Sequence, residues 1–295
     1  MRSIAIKAPA KINLHLKVFR PCRPDGFHEV RTILQAIALA DVVEVTLARE
    51  AGLGLTCTDP AVPTDDSNLA IRAAVQFVQA VGYPAIGIGI HIRKGIPMAA
   101  GLGGGSADAA ATLVGLRTLL APEMADGQLE SIGADLGSDV PFFIRGGTQV
   151  GLGRGDMLAP ARQPLSERPV VIVKPAGGCS TREVYSRYDR GIGGGDDAPA
   201  LDDALEALSA GRLEDAVGND LRPAAIAIVA EVGDAIAALR DCGLSPVEMS
   251  GSGSACFGFA NSEEQAVAAA RALSERFPFA RACMTWASGC EVLRE

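Results

Sequence analysis

KGIPMAAGLGGGSADAAAT, residues 94–112, is the stretch whose reading decides the fold. A basic and apolar approach runs into a glycine-saturated turn, then into a small-residue run of helical character. Such a turn gathers free backbone N–H groups at a helix N-terminus, where the helix dipole adds partial positive charge. That geometry suits the phosphates of a nucleotide. Side chains would hold the backbone away from an anion, so the density of Gly101, Gly103, Gly104 and Gly105 has a chemical reason. The stretch is not a Walker A loop, because Gly105 leads straight to Ser106 with no lysine at that point. Nor is it a dinucleotide G-x-G-x-x-G turn, because no sixth-position glycine follows Gly101 and Gly103. A tight loop capped by Ser106 is the structural alternative.

The 295 residues around this stretch are enough for about two domains. The net charge of −8, from 27 basic and 35 acidic residues, argues against a nucleic-acid or anionic-membrane surface. It leaves room for a local basic pocket. Cys22, Cys57, Cys179, Cys242, Cys256, Cys283 and Cys290 are widely spaced with no C-x-x-C, which predicts reduced thiols of a cytosolic protein. His15, His28 and His91 form no zinc-like cluster. The first residues, MRSIAIKAPAKINL, lack the apolar core of a signal peptide, and no long apolar span suggests a membrane helix. The expectation is a soluble cytoplasmic protein with neither nucleic-acid nor membrane partners, as a monomer or a weak homodimer.

Working outward, KINLHLKV (11–18) alternates cleanly. Ile12, Leu14, Leu16 and Val18 fall on one side and Lys11, Asn13, His15 and Lys17 on the other, which predicts a half-buried strand. Residues 31–48 predict one or two strands, Ser67 or Asn68 to Gly82 a helix, and Ile86 to Ile92 another alternating strand. The helix after the glycine turn should stop before Pro122, and a short one should cover about 127–136, ending at Gly137. DVPFFIRGGTQVGLGRGD (139–156) reads as strands separated by glycine turns. The Pro-rich LAPARQPLSERP (158–169) is the best boundary, predicting domains over 1–160 and 161–295. Beyond it, VVIVK (170–174) is a strand, TREVYSRYD (181–189) a helix and GIGGGDDAPA (191–200) a flexible loop. Pro223 opens a helix running towards Gly243, Ser262 and Gln265 form a capping-box pattern, and 280–293 add final strands. Mixed elements without strict βαβ alternation favour an α+β fold over a doubly wound sheet.

Several residues carry candidate chemistry. Lys11 and Asn13, two apart on a strand, project from one face, either into a site or into solvent. Asp139 in LGSDVPFF follows a helix end and stands at a cleft edge or in an Asx turn or cap. Its neighbour Asp135, late in a helix, is a poorer candidate because the dipole disfavours an anion there. MSGSGSACF (249–257) is a second anion cradle or a plain loop. In DGFHEVRT (25–32), Phe27 and His28 pair an aromatic ring with a donor/acceptor ring, a combination suited to a nucleobase. Taken alone, Phe27 as core and His28 as surface is the default.

Together, APAKINLHL (8–16), PMAAGLGGGSADAA (97–110), GSDVPFF (137–143) and SGSGSACF (250–257) resemble the ordered motifs of the GHMP small-molecule kinase superfamily, across almost the whole chain. The resemblance implies a two-domain α+β fold. Its N-terminal domain is like ribosomal protein S5 domain 2 and its C-terminal domain is ferredoxin-like. PAKINLHL, DGFHEVRT and LGSDVPFF are most similar to the branch acting on 4-diphosphocytidyl-2-C-methyl-D-erythritol in non-mevalonate isoprenoid synthesis. By that resemblance, ATP with Mg²⁺ phosphorylates the 2-hydroxyl of the methylerythritol unit of a cytidine diphosphate-linked substrate. Asp139 is then the base or orienter and Lys11 its electrostatic partner. Pro97, Met98, Ala99, Ala100, Gly101, Leu102, Gly103, Gly104, Gly105, Ser106 and Ala107 cover the ATP phosphates, with Ser106 near the metal or phosphates. Asn68 in SNLA matches an adenine-side position. Asn13 reaches the substrate, as do Gly251 and Ser252. Phe27 and His28 match the cytosine site, with Thr181 and Tyr185 approaching from the second domain. Phe27 stands where a tyrosine is usual, keeping the ring and losing a hydroxyl. Rival expectations are a homoserine- or mevalonate-type kinase, which needs no cytosine pocket, and a nucleotide-binding protein without catalysis.

Overall fold

A computed structural model describes residues 2–83, 86–191 and 198–293. The first part of the chain runs β1 (Arg2–Val18), β2 (Val30–Ala48), β3 (Gly52–Cys57), α1 (Leu69–Val81), β4 (Gly87–Arg93), α2 (Gly104–Leu120), α3 (Asp126–Leu136), α4 (Val140–Arg145), β5 (Thr148–Leu152) and β6 (Met157–Pro160). The second part runs β7 (Pro169–Lys174), α5 (Thr181–Asp189), α6 (Leu201–Ser209), α7 (Leu213–Ala216), β8 (Gly218–Asn219), α8 (Arg222–Ile226), α9 (Glu231–Asp241), β9 (Val247–Met249), β10 (Cys256–Phe259), α10 (Glu263–Leu273), β11 (Phe279–Met284) and β12 (Glu291–Val292).

The first sheet has the order β12-β1-β2-β4-β3, with β5 and β6 continuing from β2 and β8 beside β1. Residues 31–48 lie in one strand, and its length gives it two further partners. Thr32–Gln35 pair with β5 and Val42–Ala48 with β4. The second sheet, β11-β7-β10-β9, is antiparallel throughout, with helices after β7 and β10 in the ferredoxin-like manner. Along β7 the period-2 alternation serves two cores. Val170 and Ile172 join the large core of the first sheet, while Val171 and Val173 join the core under α9 and α10.

Helix α2 is buried along most of its length, its alanines letting it lie close against β1 and β2. The register of strand β1 against β2 shifts twice, between Pro9 and Ala10 and between Asn13 and His15, and the second shift is a β-bulge. Ile12 and Leu14 therefore pack into the first core, and Leu16 and Val18 into the second. His15 leaves the face of Lys11 and Asn13. It is fully buried, with Nε2 against the carbonyl of Pro199.

Two elements correct the sequence-based expectation. Val140–Arg145 is a helix, not a strand. Pro141 fits its first turn, and the helical turn lets the adjacent Phe142 and Phe143 both be buried, edge to face at 5.2 Å. A strand would send them to opposite faces. The helix expected from Pro223 to Gly243 is broken into α8 and α9. The break lets Val229 pack into the second core, where its methyl lies 2.7 Å from the place a Cβ on Gly177 would take. The flexible loop expected over 191–200 falls largely on 192–197, outside the described residues.

Candidate active site

Two clefts meet at the glycine turn. The larger encloses about 790 Å³, between β1, the β1–β2 loop, the start of α4 and α5. The smaller, about 350 Å³, is lined by Pro97 to Ser106 together with Asn68 and Lys94. Gly101 and Gly103 line both.

The turn is built for close approach. Gly103 is the N-cap of α2 in the left-handed region, φ +76°, and a Cβ there would stand 2.4 Å from the Phe143 ring. Gly101, φ +73°, would carry a Cβ 2.2 Å from the carbonyl oxygen of Ser250. Between Met98 and Gly101, Ala99 also adopts a positive φ of 49°. No side chain caps α2, so Ser106 is not the cap. It lies in the first turn, beside backbone N–H groups that α2 itself cannot satisfy. The smaller cleft opens onto these groups.

The stretch 249–257 buttresses this turn more than it cradles an anion. Ser250 Oγ donates to Gly101 O at 3.0 Å and accepts from Asn13 N at 3.3 Å. Ala255 N donates to Ala100 O at 3.0 Å, and Ser254 Oγ donates to Gly177 O at 2.5 Å. Gly251 and Ser252 alone of this stretch line the larger cleft, and Ser252 Oγ lies 2.8 Å from Thr181 Oγ1.

Lys11 and Asp139 face the same cleft. Lys11 is buried, and its ammonium donates to Asn13 Oδ1 at 2.5 Å. Asn13 is held in turn by Nδ2 donating to Thr32 Oγ1 at 2.9 Å. Burial lowers the Lys11 pKa, against the opposing pull of the Asp139 charge. Asp139 follows the end of α3 and occupies the N-cap of α4 without making a capping bond, which leaves its carboxylate to the cleft. Phe143, one helical turn on, packs against Gly103, and Gly103 abuts the Lys11 stem. This chain of contacts brings the two residues together. Asp135 is exposed and lines neither cleft.

The far end of the larger cleft is aromatic. His28 lies 5.0 Å from the Tyr185 ring, tilted by 31°. Phe27 is 54% exposed, with the Arg154 guanidinium 5.0 Å from its ring centre. Burial and the Asp139 charge push the Tyr185 phenol well above its usual pKa. Asn68 lies at the smaller cleft, but both ends of its amide are engaged locally. Oδ1 caps α1 by accepting from Ala70 N at 2.9 Å, and Nδ2 donates to Pro63 O at 2.7 Å.

Sequence reasoning misses the polar partners behind the site. Lys94 donates to Asp41 and, at 2.9 Å, to Asp108 Oδ2, beneath the glycine turn. Asp108 Oδ1 is buried without a partner. Burial and the Asp41 charge raise the Asp108 pKa to about 7. An acid inside an alanine run was a usable signal. Thr32 and Asp189, which orient Asn13 and His28, gave none, because their partners are distant in sequence.

The chain is similar to known kinases over most of its length. The family of GHMP kinases N terminal domains matches residues 68–147, and that of GHMP kinases C terminal domains matches 200–278. A 4-diphosphocytidyl-2-C-methyl-D-erythritol kinase of Synechococcus sp. (strain JA-2-3B'a(2-13)) is 42% identical over 94% of this chain and 91% of its own. One from Moorella thermoacetica is 42% identical over 94% and 97%. A crystal structure of 4-(cytidine 5'-diphospho)-2C-methyl-D-erythritol kinase superposes with a TM-score of 0.81 at 36% identity, covering 96% of this chain and 99% of that one. Homoserine kinase from Cytophaga hutchinsonii superposes at 0.71 with 19% identity, covering 99% and 98%, which speaks for the fold alone.

Proposed function

We propose a reaction from one premise: the chain belongs to the 4-diphosphocytidyl-2-C-methyl-D-erythritol kinases of the GHMP kinase family. It transfers the γ-phosphoryl group of ATP to the 2-hydroxyl of 4-diphosphocytidyl-2-C-methyl-D-erythritol. The observation that carries this reading is the pair of clefts joined at Gly101 and Gly103, where a triphosphate tail and an acceptor alcohol can meet.

Phosphoryl transfer needs placement and charge neutralisation more than covalent help. The first-turn N–H groups of α2 hold the β- and γ-phosphates. Lys11 stabilises negative charge as it develops near the attacking oxygen. Asp139 orients the hydroxyl and receives its proton late, because an alcohol is a far weaker acid than a carboxylic acid. Phe27 and Tyr185 offer stacking surfaces to the cytosine, His28 a polar edge, and Thr181, Gly251 and Ser252 line the path of the substrate.

No cluster of three or more metal-ligating side chains exists among the described residues. Ser106, in the first turn of α2 at the smaller cleft, offers a hydroxyl that would hold a hydrated Mg²⁺ carried in with the nucleotide. Bound there, Mg²⁺ would neutralise charge on the β- and γ-phosphates. Seven free cysteines suit a reducing cytoplasm, which is part of the same proposal. Among the described residues no helix is long and apolar enough to cross a membrane.

ADP release, measured with the cytidyl substrate, homoserine and mevalonate in parallel, tests the reading. The expected result is turnover of the cytidyl substrate alone. Turnover of homoserine or mevalonate in its place, or ATP binding with no acceptor consumed, overturns it.

A further inference from the structure

We propose that Asp189 fixes the proton of His28 on Nε2 and thereby makes the aromatic end of the larger cleft prefer cytosine to uracil. The proposal rests on the cytidyl-kinase reading above. Asp189 is the last residue of α5 and lies 161 residues from its partner. The His28 Nε2 and Asp189 Oδ1 are 2.7 Å apart. The imidazole is almost fully enclosed, 7% exposed, whereas the carboxylate is 46% exposed.

The ring has little freedom to turn. Tyr185 covers it at 5.0 Å and Tyr188 meets it edge-on at 6.2 Å. Tyr188 is itself fixed, its hydroxyl donating to Val18 O at 2.7 Å and the Arg20 guanidinium lying 3.9 Å from its ring centre. Orientation is thus set by packing, and what remains to be set is the position of the proton. An ionised carboxylate only accepts hydrogen bonds, so the nitrogen facing it must be the one bearing hydrogen. In the neutral ring, Nδ1 is then left with its lone pair, an acceptor. Cytosine carries an amino donor at C4, where uracil carries a carbonyl acceptor. An acceptor fixed opposite that position bonds the first and repels the second, which is how a specificity ratio arises. The placement of Asp189 adds weight, because an anion at a helix C-terminus opposes the helix dipole and needs a compensating contact.

The full-length protein is compared with Asp189→Ala and Asp189→Glu, using the cytidine diphosphate-linked substrate and its uridine counterpart. In Asp189→Ala we expect KM for the cytidyl substrate to rise about tenfold and the cytidyl-to-uridyl preference to fall by a similar factor. The ATP KM and kcat should hold, and Asp189→Glu should recover part of the preference. ¹⁵N NMR of the wild-type protein should find His28 protonated on Nε2 and not on Nδ1. An unchanged preference in Asp189→Ala, or a His28 protonated on Nδ1 in the wild type, overturns the proposal. Wild-type protein that turns over no cytidyl substrate overturns the kinase reading instead, a failure visible before any variant is made.

Discussion

At the scale of single residues, Lys11 and Asp139 hold opposite charges at one wall of the larger cleft. Asp139→Asn keeps the shape and removes the proton acceptor, so kcat should fall about 10²-fold or more while ATP binding persists. Near-normal single-turnover rates in that variant would remove Asp139 from the chemistry. Burial depresses the Lys11 pKa, so its charge is lost below the ordinary lysine value of 10.5 as pH rises. The alkaline limb of the pH–kcat profile should accordingly fall before that value and vanish in Lys11→Ala, on top of a lowered kcat; a limb that survives the substitution belongs to another group. Asp108 titrates the other way. Its folded pKa of about 7 lies above its unfolded value of 3.8, so between these the folded state holds a proton that the unfolded state has released. Stability therefore declines as pH rises through that window. Relative to wild type, Asp108→Asn should gain stability as pH rises across it and nothing further above it. Urea unfolding at pH 5, 6, 7 and 8 checks this, and a difference independent of pH would contradict it.

At the scale of elements, the glycine turn separates fold from function. Gly103→Ala places a methyl against the Phe143 ring at a left-handed φ, a strained collision that should destabilise the chain by about 1–3 kcal/mol. Gly105 has open space around its missing Cβ and an ordinary φ, so Gly105→Ala should leave the melting temperature nearly unchanged. If the smaller cleft holds the phosphates, the same methyl should still raise the ATP KM severalfold. Parallel calorimetry and ATP titration decide the point, and a Gly105→Ala enzyme with normal ATP KM would mean that the phosphates lie elsewhere. This turn and the helix after it were legible in the sequence because both are local: glycine density, a small-residue run and Pro122 at the end. So was β1, up to Leu14. The bulge was not, because a register shift is a property of two strands and β1 alone alternates perfectly through it. Helix α4 was missed for a related reason. VPFFIR is as apolar as a strand, and as a helix it packs on α2 and α3, which lie outside the local pattern. The polar partners that complete the site, Asp41 with Lys94 and Asp189 with His28, are joined across 53 and 161 residues, beyond any local pattern.

At the scale of the whole molecule, the two parts of the chain are interleaved. Strand β1 is flanked by β12 on one edge and paired by β8 at His15 and Leu16, and both come from the second part. Gln35 Nε2 donates to Trp286 O at 2.9 Å and Trp286 N to Ala36 O at 2.8 Å, while the Lys7 ammonium stands 3.3 Å from the indole centre. The first core also contains Val170, Ile172, Phe257 and Phe259 of the second sheet. Residues 1–160 and 161–295, which we propose as the two domains, therefore share both the first sheet and the first core. The larger cleft has the same dependence, with Lys11 and Asp139 from one part and Tyr185 and Ser252 from the other. Removing the second part would strip β1 of its edge partners and expose apolar side chains of the first core, leaving an unprotected strand edge. The expected outcome is a single calorimetric transition for the whole chain, with equal calorimetric and van't Hoff enthalpies. A separately expressed 1–160 should show no cooperative unfolding of its own. Two resolved transitions, or a 1–160 fragment that melts sharply and stays monomeric, would show that the parts stand alone and that the cleft between them is free to open as they move.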